Sequence, residues 1–371
     1  MARSTQKIRT ALHNPASLPS MVWRRLSTTI SYNFSSLLQE RSSPPETVNI
    51  YPTDRCNLQC SMCFVKLRKP APEMEIEQWC EIINQIKAFR PRIHLSGGEP
   101  FCYPAITDLI ACVKKYGLFL AITTNGTYLD EYAQKIVAMK VNRINISIDG
   151  PSEIHDKIRG VPGTFDRVVN GLQKTVRSRE KRKLPELQIH SMINFSDPGV
   201  MEWIIRFAID MHADAVKFLY PLFVDSKSLN EHRQLLKQTF NRDLDYWRKA
   251  DMFTDKPTDF TTIRSTLELL KKESRMPVEI FPVFNPEHLM PYYHSENNFS
   301  RIYKGRCRAM WNTATILSSG NLESCPDYIL GNCRHEPFLS LWNNDIMRSL
   351  RHRIKRRQFF GVCRACCFYY Q

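Results

Sequence analysis

Cys56, Cys60 and Cys63 crowd into one short stretch, Arg55-Cys56-Asn57-Leu58-Gln59-Cys60-Ser61-Met62-Cys63-Phe64. Thiolates spaced CxxxCxxC can each take one iron of a cubane [4Fe–4S] cluster and leave the fourth iron open. An open iron can bind and activate a small molecule, whereas a fully ligated cluster only passes electrons. A structural zinc is the competing chemistry. It needs a fourth ligand close by, and the next cysteine, Cys80, fits that role poorly.

The other cysteines divide into two sets. Cys80, Cys102 and Cys112 fall on helix-like stretches and read as buried small hydrophobes. Cys307, Cys325, Cys333, Cys363, Cys366 and Cys367 gather near the end. Twelve cysteines in a chain without the apolar core of a secretory signal point to a reducing, cytoplasmic setting and metal ligation rather than disulfides. Of the formal charge of +15, five units fall in residues 1–45 and eight in 301–371, leaving two over 46–300. The densest basic run is Arg348, Arg351, Arg353, Lys355, Arg356 and Arg357. It reads either as a steering surface for an anionic partner or as a solvated helix face.

Such a cysteine loop needs a scaffold. Apolar residues recur every four positions from Val22 to Leu38, predicting an amphipathic helix that packs on the main domain, with membrane-surface binding as the lesser reading. Arg41-Ser42-Ser43-Pro44-Pro45 ends it. Beyond it, strands are predicted over 47–52, 92–96, 118–123, 143–148, 187–194 and 215–220. Helices are predicted between them over 75–89, 103–116, 129–139, 164–182 and 200–212. Six βα repeats make a parallel α/β sheet, too few for a closed eight-fold barrel, so an open, partial (β/α)6 TIM-like barrel is expected. Function then gathers at the C-terminal strand ends, where the cysteine loop falls. The expected division is an N-terminal extension (1–45), a core barrel (46–224), a helical bridge (225–300) and a small Fe–S module (301–371).

Ser96-Gly97-Gly98-Glu99-Pro100 closes the second strand; glycines admit a ligand to the backbone, and a carboxylate suits an ammonium group. Thr123-Thr124-Asn125-Gly126 closes the third and Ser147-Ile148-Asp149-Gly150 the fourth, followed by His155-Asp156-Lys157-Ile158-Arg159-Gly160. Together with the cysteine loop these segments resemble the radical S-adenosylmethionine (radical SAM) superfamily. The resemblance implies that the open iron chelates the methionine part of SAM and that reductive cleavage yields a 5′-deoxyadenosyl radical. It further implies that Gly97, Gly98 and Glu99 meet the SAM amino group, Ser147 the ribose and Arg159 the carboxylate. Asn125 and Asp149 join the SAM site, with Asn194 and Leu219 closing it around ribose and adenine. Met62 stands where many relatives carry an aromatic residue and can pack softly on a purine.

The end of the chain resembles the SPASM/twitch extension, with Cys307, Gly320 and Cys325 in its hairpin pattern and Cys363-Arg364-Ala365-Cys366-Cys367 at its close. That implies one auxiliary [4Fe–4S] cluster on Cys307, Cys325, Cys363 and Cys366, with Cys367 a rival last ligand and Cys333 either a core residue or part of a second cluster. Zinc on the same thiolates is the alternative. Asp327 and Tyr220 are the candidates for proton chemistry, with Tyr328 and His335 behind them. Asp327 would otherwise be an exposed loop residue.

The function expected is a radical SAM oxidoreductase or maturase that takes hydrogen from a peptide or a sugar-like small molecule, leading to oxidation, epimerisation or cross-linking. A flavodoxin- or ferredoxin-type donor would supply electrons. The alternatives are an RNA-modifying enzyme, motivated by the basic ends although no RNA-binding motif is visible, and a non-catalytic Fe–S carrier.

Overall fold

A computed structural model describes residues 32–33, 40–63, 65, 71–179, 183–222, 224–244, 246–247, 260–283, 289, 292–293, 307–364 and 366. The helix expected over 21–38 lies outside the described residues apart from Tyr32 and Asn33, as do Phe64 and Cys367. Among the described residues no helix is long and apolar enough to cross a membrane.

Six strands appear where period-two patterning predicts them: β1 (Thr47–Ile50), β2 (Arg92–Leu95), β3 (Leu120–Thr124), β4 (Arg143–Ser147), β5 (Glu186–Met192) and β6 (Ala215–Leu219). They pair in parallel and in chain order. The crossovers are α1 (Ile76–Ile86), α2 (Ile106–Lys115), α3 (Leu129–Ala138), α4 (Ser152–Arg159) with α5 (Thr164–Arg179), and α6 (Gly199–Asp210). In α1 the buried Trp79, Ile82, Ile83 and Ile86 fall on one stripe, and a Glu75–Gln78 capping box satisfies its first turn. Sequential strand order with right-handed crossovers keeps these helices on one side of the sheet. Under them Val48, Ile93, Ile122, Ile144, Ile189 and Val216 are fully buried, each worth about 2 kcal/mol of apolar burial.

Two features go beyond the expected six repeats. After α7 (Ser226–Phe240) and α8 (Phe260–Glu273) a seventh parallel strand, β7 (Val278–Phe281), pairs with β6. It is only four residues long and flanked by Pro277 and Pro282, so its pattern is buried in turn signals. At the other edge β8 (Thr313–Ile316), which follows the short helix α9 (Ala309–Asn312), runs parallel to β1. Antiparallel β9 (Asn321–Glu323) and β10 (Ile329–Asn332) extend it, so one ten-stranded sheet joins barrel and C-terminal unit. Helices α10 (Phe338–Trp342) and α11 (Asp345–Lys355) follow.

The basic run on α11 is neither a steering surface throughout nor a solvated face. Arg351 is fully buried and bonded to main-chain carbonyls, and Arg353 lies over the Phe360 ring.

Candidate functional site

The cysteine loop leaves β1 at the C-terminal edge of the sheet and is held from three sides. The Gly97–Glu99 turn lies against it: Gly98 N–H donates to Thr53 O at 3.0 Å and Glu99 N–H to Arg55 O at 2.8 Å. Gly97 has φ +114°, and a side chain on Gly98 would put a Cβ 2.2 Å from Arg55 O, so only glycine allows the two backbones to meet. The end of α4 supplies the second side, with Gln59 N–H bonded to Arg159 O and Ser61 N–H to Ile158 O. Asn125 supplies the third, its amide donating to Asn57 Oδ1 at 2.9 Å. Ser318, beyond β8, also donates to Asp54 Oδ2 at 2.7 Å and ties the loop to the C-terminal unit.

These neighbours reach the sulfurs. Leu58 N–H and the Asn125 amide donate to Cys56 Sγ at 3.4 and 3.8 Å, and the Arg159 guanidinium donates to Cys60 Sγ at 3.7 Å. Burial, then the charges of Glu99, Cys60 and Cys63, push the Cys56 thiol up to about 11. Three thiols cannot ionise side by side without a cationic centre, while N–H groups aimed at sulfur favour thiolate. This donor set fits an iron–sulfur cluster. Cys80 takes no part; it faces Cys112. Cys80, Cys102 and Cys112 are half-buried rather than buried as expected.

Glu99 is buried, its Oε1 accepting from Thr124 Oγ1 at 2.8 Å and Phe101 N–H at 3.2 Å, its Oε2 from Asn125 N–H at 2.7 Å. Burial outweighs these bonds and pushes its carboxyl up to about 7. Arg159 pairs with buried Asp149 at 2.6 Å, and Asp149 Oδ1 also accepts Met192 N–H. In this structure that pair braces α4 and β5 beside Cys60. Ser147 ends β4 and Leu219 ends β6, both half-buried, and Met62 is half-buried in the loop. Asn194 Oδ1 is engaged by the amides of Ser196 and Asp197. Tyr220 stacks on Phe195, and burial pushes its phenol up to about 12.

A second constellation lies in the C-terminal unit. Cys307, Cys325, Cys363 and Cys366 line one cavity with Trp247, Met310 and Phe360. Burial first, and the neighbouring thiolate charge second, push Cys307 up to about 12 and Cys325 and Cys363 well above the usual thiol range. Four sulfurs in an apolar wall are stable as thiolates only around a cationic cluster, so the donor set fits. Among the described residues no three His, Cys, Asp or Glu side chains close on a single ion. Cys333 is buried but does not line that cavity.

Asp327 is not an exposed loop residue. It is buried, with φ +72°, and its Oδ1 accepts Tyr246 N–H at 2.6 Å. Its Oδ2 faces His232 Nε2 at 3.6 Å, and His232 Nδ1 lies 3.5 Å from Tyr328 Oη. His232 was not visible as a partner in the sequence, because it comes from α7, far along the chain.

Comparison with known proteins agrees with this geometry. Residues 50–180 match the Radical SAM superfamily and residues 307–367 the SPASM iron–sulfur cluster-binding domain. The chain belongs to the radical SAM superfamily and carries a SPASM domain. Its cofactors are accordingly SAM, a SAM-binding [4Fe–4S] cluster and an auxiliary [4Fe–4S] cluster. Among curated proteins it is 26% identical to Fe-coproporphyrin III synthase of Methanosarcina barkeri, over 86% of this chain and 79% of that protein. It is 24% identical to AdoMet-dependent heme synthase of the same organism, over 84% and 86%. Among solved structures, Streptococcus suis SuiB bound to S-adenosylmethionine superposes with a TM-score of 0.65 at 18% identity, covering 90% of this chain and 74% of SuiB. SuiB has also been solved with its precursor peptide SuiA.

The Gly98 contact yields a prediction. Gly98→Ala forces the loop off its turn, and overpacking of about 1–3 kcal/mol weakens SAM binding about tenfold. Equilibrium dialysis of the anaerobically reconstituted protein measures it; unchanged affinity would show that the two backbones are free to part.

Proposed function

We propose that the chain is a radical SAM oxidoreductase or maturase with the SAM cluster on Cys56, Cys60 and Cys63 and the auxiliary cluster on Cys307, Cys325, Cys363 and Cys366. The observation that carries this is the three-thiol loop bonded along its backbone to the Gly97–Glu99 turn and to the end of α4. When bound and reduced, the first cluster supplies the electron that splits the SAM sulfonium to a 5′-deoxyadenosyl radical, which takes hydrogen from substrate. The chain's own part is positional. Gly97 and Gly98 admit the amino group to the backbone, Glu99 offers it a carboxylate, and Ser147, Asn194, Leu219 and Met62 border the nucleoside.

Arg159 enters this reading with a changed role: its bonds to Asp149 and Cys60 Sγ favour bracing the cluster loop. Asp327, held by Tyr246 and facing His232, is the better supported candidate for proton chemistry beside the auxiliary site, since Tyr220 keeps its proton at neutral pH. The substrate class is a small molecule or a peptide, and the names of the relatives offer support for each. We assign the electron donor to the flavodoxin or ferredoxin type and the compartment to the cytoplasm. The division into extension, barrel, bridge and auxiliary unit stands as part of the same proposal. Anaerobic incubation with dithionite and SAM should yield 5′-deoxyadenosine; none formed by iron-replete protein would refute the assignment.

Glu99 gives this site a pH signature. Its carboxyl, raised from 4.5 to about 7, holds a proton near neutrality until the SAM amino group donates to it. SAM binding therefore expels that proton, and affinity falls as pH drops below 7, by up to about tenfold per unit. Glu99→Gln removes the dependence. A flat profile in the wild type would show that the amino group binds elsewhere.

A further inference from the structure

The sheet face opposite the helices is polar. Asn49, His94, Thr123, Thr315, His190 and Lys217 are all half-buried there, while their strand neighbours on the helix side are fully buried. A closed barrel fills this face with apolar side chains; here it carries half-buried polar ones.

Its hydrogen bonds form one chain across five strands. The Asn145 amide donates to Thr123 Oγ1 at 3.0 Å, which lies 2.8 Å from His94 Nε2. His94 Nδ1 lies 3.2 Å from Asn49 Oδ1, and the Asn49 amide donates to Thr315 Oγ1 at 3.2 Å. One arrangement of protons satisfies every link of this chain: Thr123 donates to Nε2 and His94 carries its proton on Nδ1. That arrangement requires a neutral ring, and burial, with Lys217 and Arg143 nearby, lowers His94 to about 4. His190, bonded to Gln188 at 3.0 Å, is held neutral by the same causes.

The charges on this face compensate. Arg143 pairs with Glu186 at 2.8 Å and Lys217 faces Glu279 at 3.9 Å. Among the described residues one acceptor of this chain is left over: Asn145 Oδ1 is buried, has no hydrogen-bond partner there, and belongs to a residue only 6% exposed. Such an atom is costly to leave unpaired unless a ligand donates to it.

Resting on the radical SAM reading, we propose that this polar face lines a recess that serves as the substrate chamber and that it takes a neutral, hydroxyl-bearing small molecule, whose O–H donates to Asn145 Oδ1. A compensated floor gives a carboxylate no net attraction, and a polar floor gives an apolar ring system none. A hydroxyl both donates and accepts, so one group can donate to Asn145 and accept from a neighbouring hydroxyl, which a peptide amide atom does not. Adjacent strands lie ~4.8 Å apart, a pitch that suits several hydroxyls on one small ring.

The test is anaerobic equilibrium binding to SAM-loaded holoprotein. The panel comprises neutral monosaccharides and cyclitols, dicarboxylates, and end-blocked tripeptides. A neutral polyol should bind most tightly, and both Asn145→Leu and His94→Phe should weaken it about tenfold or more, with iron content and thermal midpoint unchanged as evidence of folding. The proposal is overturned if a dicarboxylate or tripeptide outranks every polyol, if no polyol binds saturably, or if both folded variants keep wild-type affinity. Absence of 5′-deoxyadenosine formation would remove the enzymatic reading alone and leave these binding results standing.

Discussion

Cys60→Ala abolishes reductive SAM cleavage while leaving the fold and the auxiliary cluster in place. The loop around Cys60 is held by main-chain bonds from Gln59 and Ser61 to the end of α4, not by the side chain. Cys60 is half-buried, so its truncation leaves no core cavity. What disappears is one thiolate of a trio, and with it the Arg159 N–H···S contact. Two thiolates cannot retain a cubane that already has an open corner. Iron should fall from about eight to about four per chain, and 5′-deoxyadenosine should drop to the detection limit under dithionite. Full iron content with normal cleavage in this variant would contradict the ligand assignment.

Arg351→Met destabilises the protein by about 3–5 kcal/mol, although it lies far from the barrel's chemistry. The guanidinium is fully buried and donates to four acceptors: Met310 O at 2.8 Å, Trp342 O at 2.9 Å, Glu40 O at 3.1 Å and Asn343 Oδ1 at 2.7 Å. Those bonds join the segment before β1, the short helix α9 and the end of α10 to α11. Asn343 in turn exchanges bonds with Ser42 N–H and O, and Trp342 Nε1 donates to Ser43 O. Burial lowers the guanidinium to about 9, so the cation is costly to hold and is tolerated because every fork of it is engaged. Methionine fills the volume and leaves the acceptors dry. The thermal midpoint should fall by about 4–6 °C. Arg351→Lys should recover only part of it, since one ammonium cannot span four acceptors. A midpoint within about 1 °C of wild type in the methionine variant would mean that water replaces the guanidinium.

The barrel strands were legible because one face is covered by helices and the other is polar, as Arg143-Ile144-Asn145-Ile146-Ser147 illustrates by alternating polar and apolar residues, although Asn145 is buried along with the two isoleucines. The same alternation carried information about the recess, in Asn145 and His94, that only the register across strands makes visible. The SAM-side motifs were legible because each ends a strand at the same edge of the sheet. Long-range pairings were not. Nothing local to Thr313–Ile316 says that it lies beside Thr47–Ile50. Arg351 was hidden among basic neighbours because helical spacing, not composition, decides which of them turns inward. Asp327 was misjudged for a similar reason. Its burial comes from α7 and the Tyr246 amide, and the positive φ that aims it follows from a turn the sequence does not announce.

The proposed enzymatic activity requires an iron left without a protein ligand, which SAM would take instead. The direct measurement is electron paramagnetic resonance of the dithionite-reduced holoprotein, with and without SAM labelled with 17O in its carboxylate. The spectrum of the cluster that is missing in Cys60→Ala should shift on SAM addition and acquire 17O hyperfine coupling, while the auxiliary signal stays unchanged. A SAM-bound protein whose N-terminal cluster signal neither moves nor couples to the label would contradict the account.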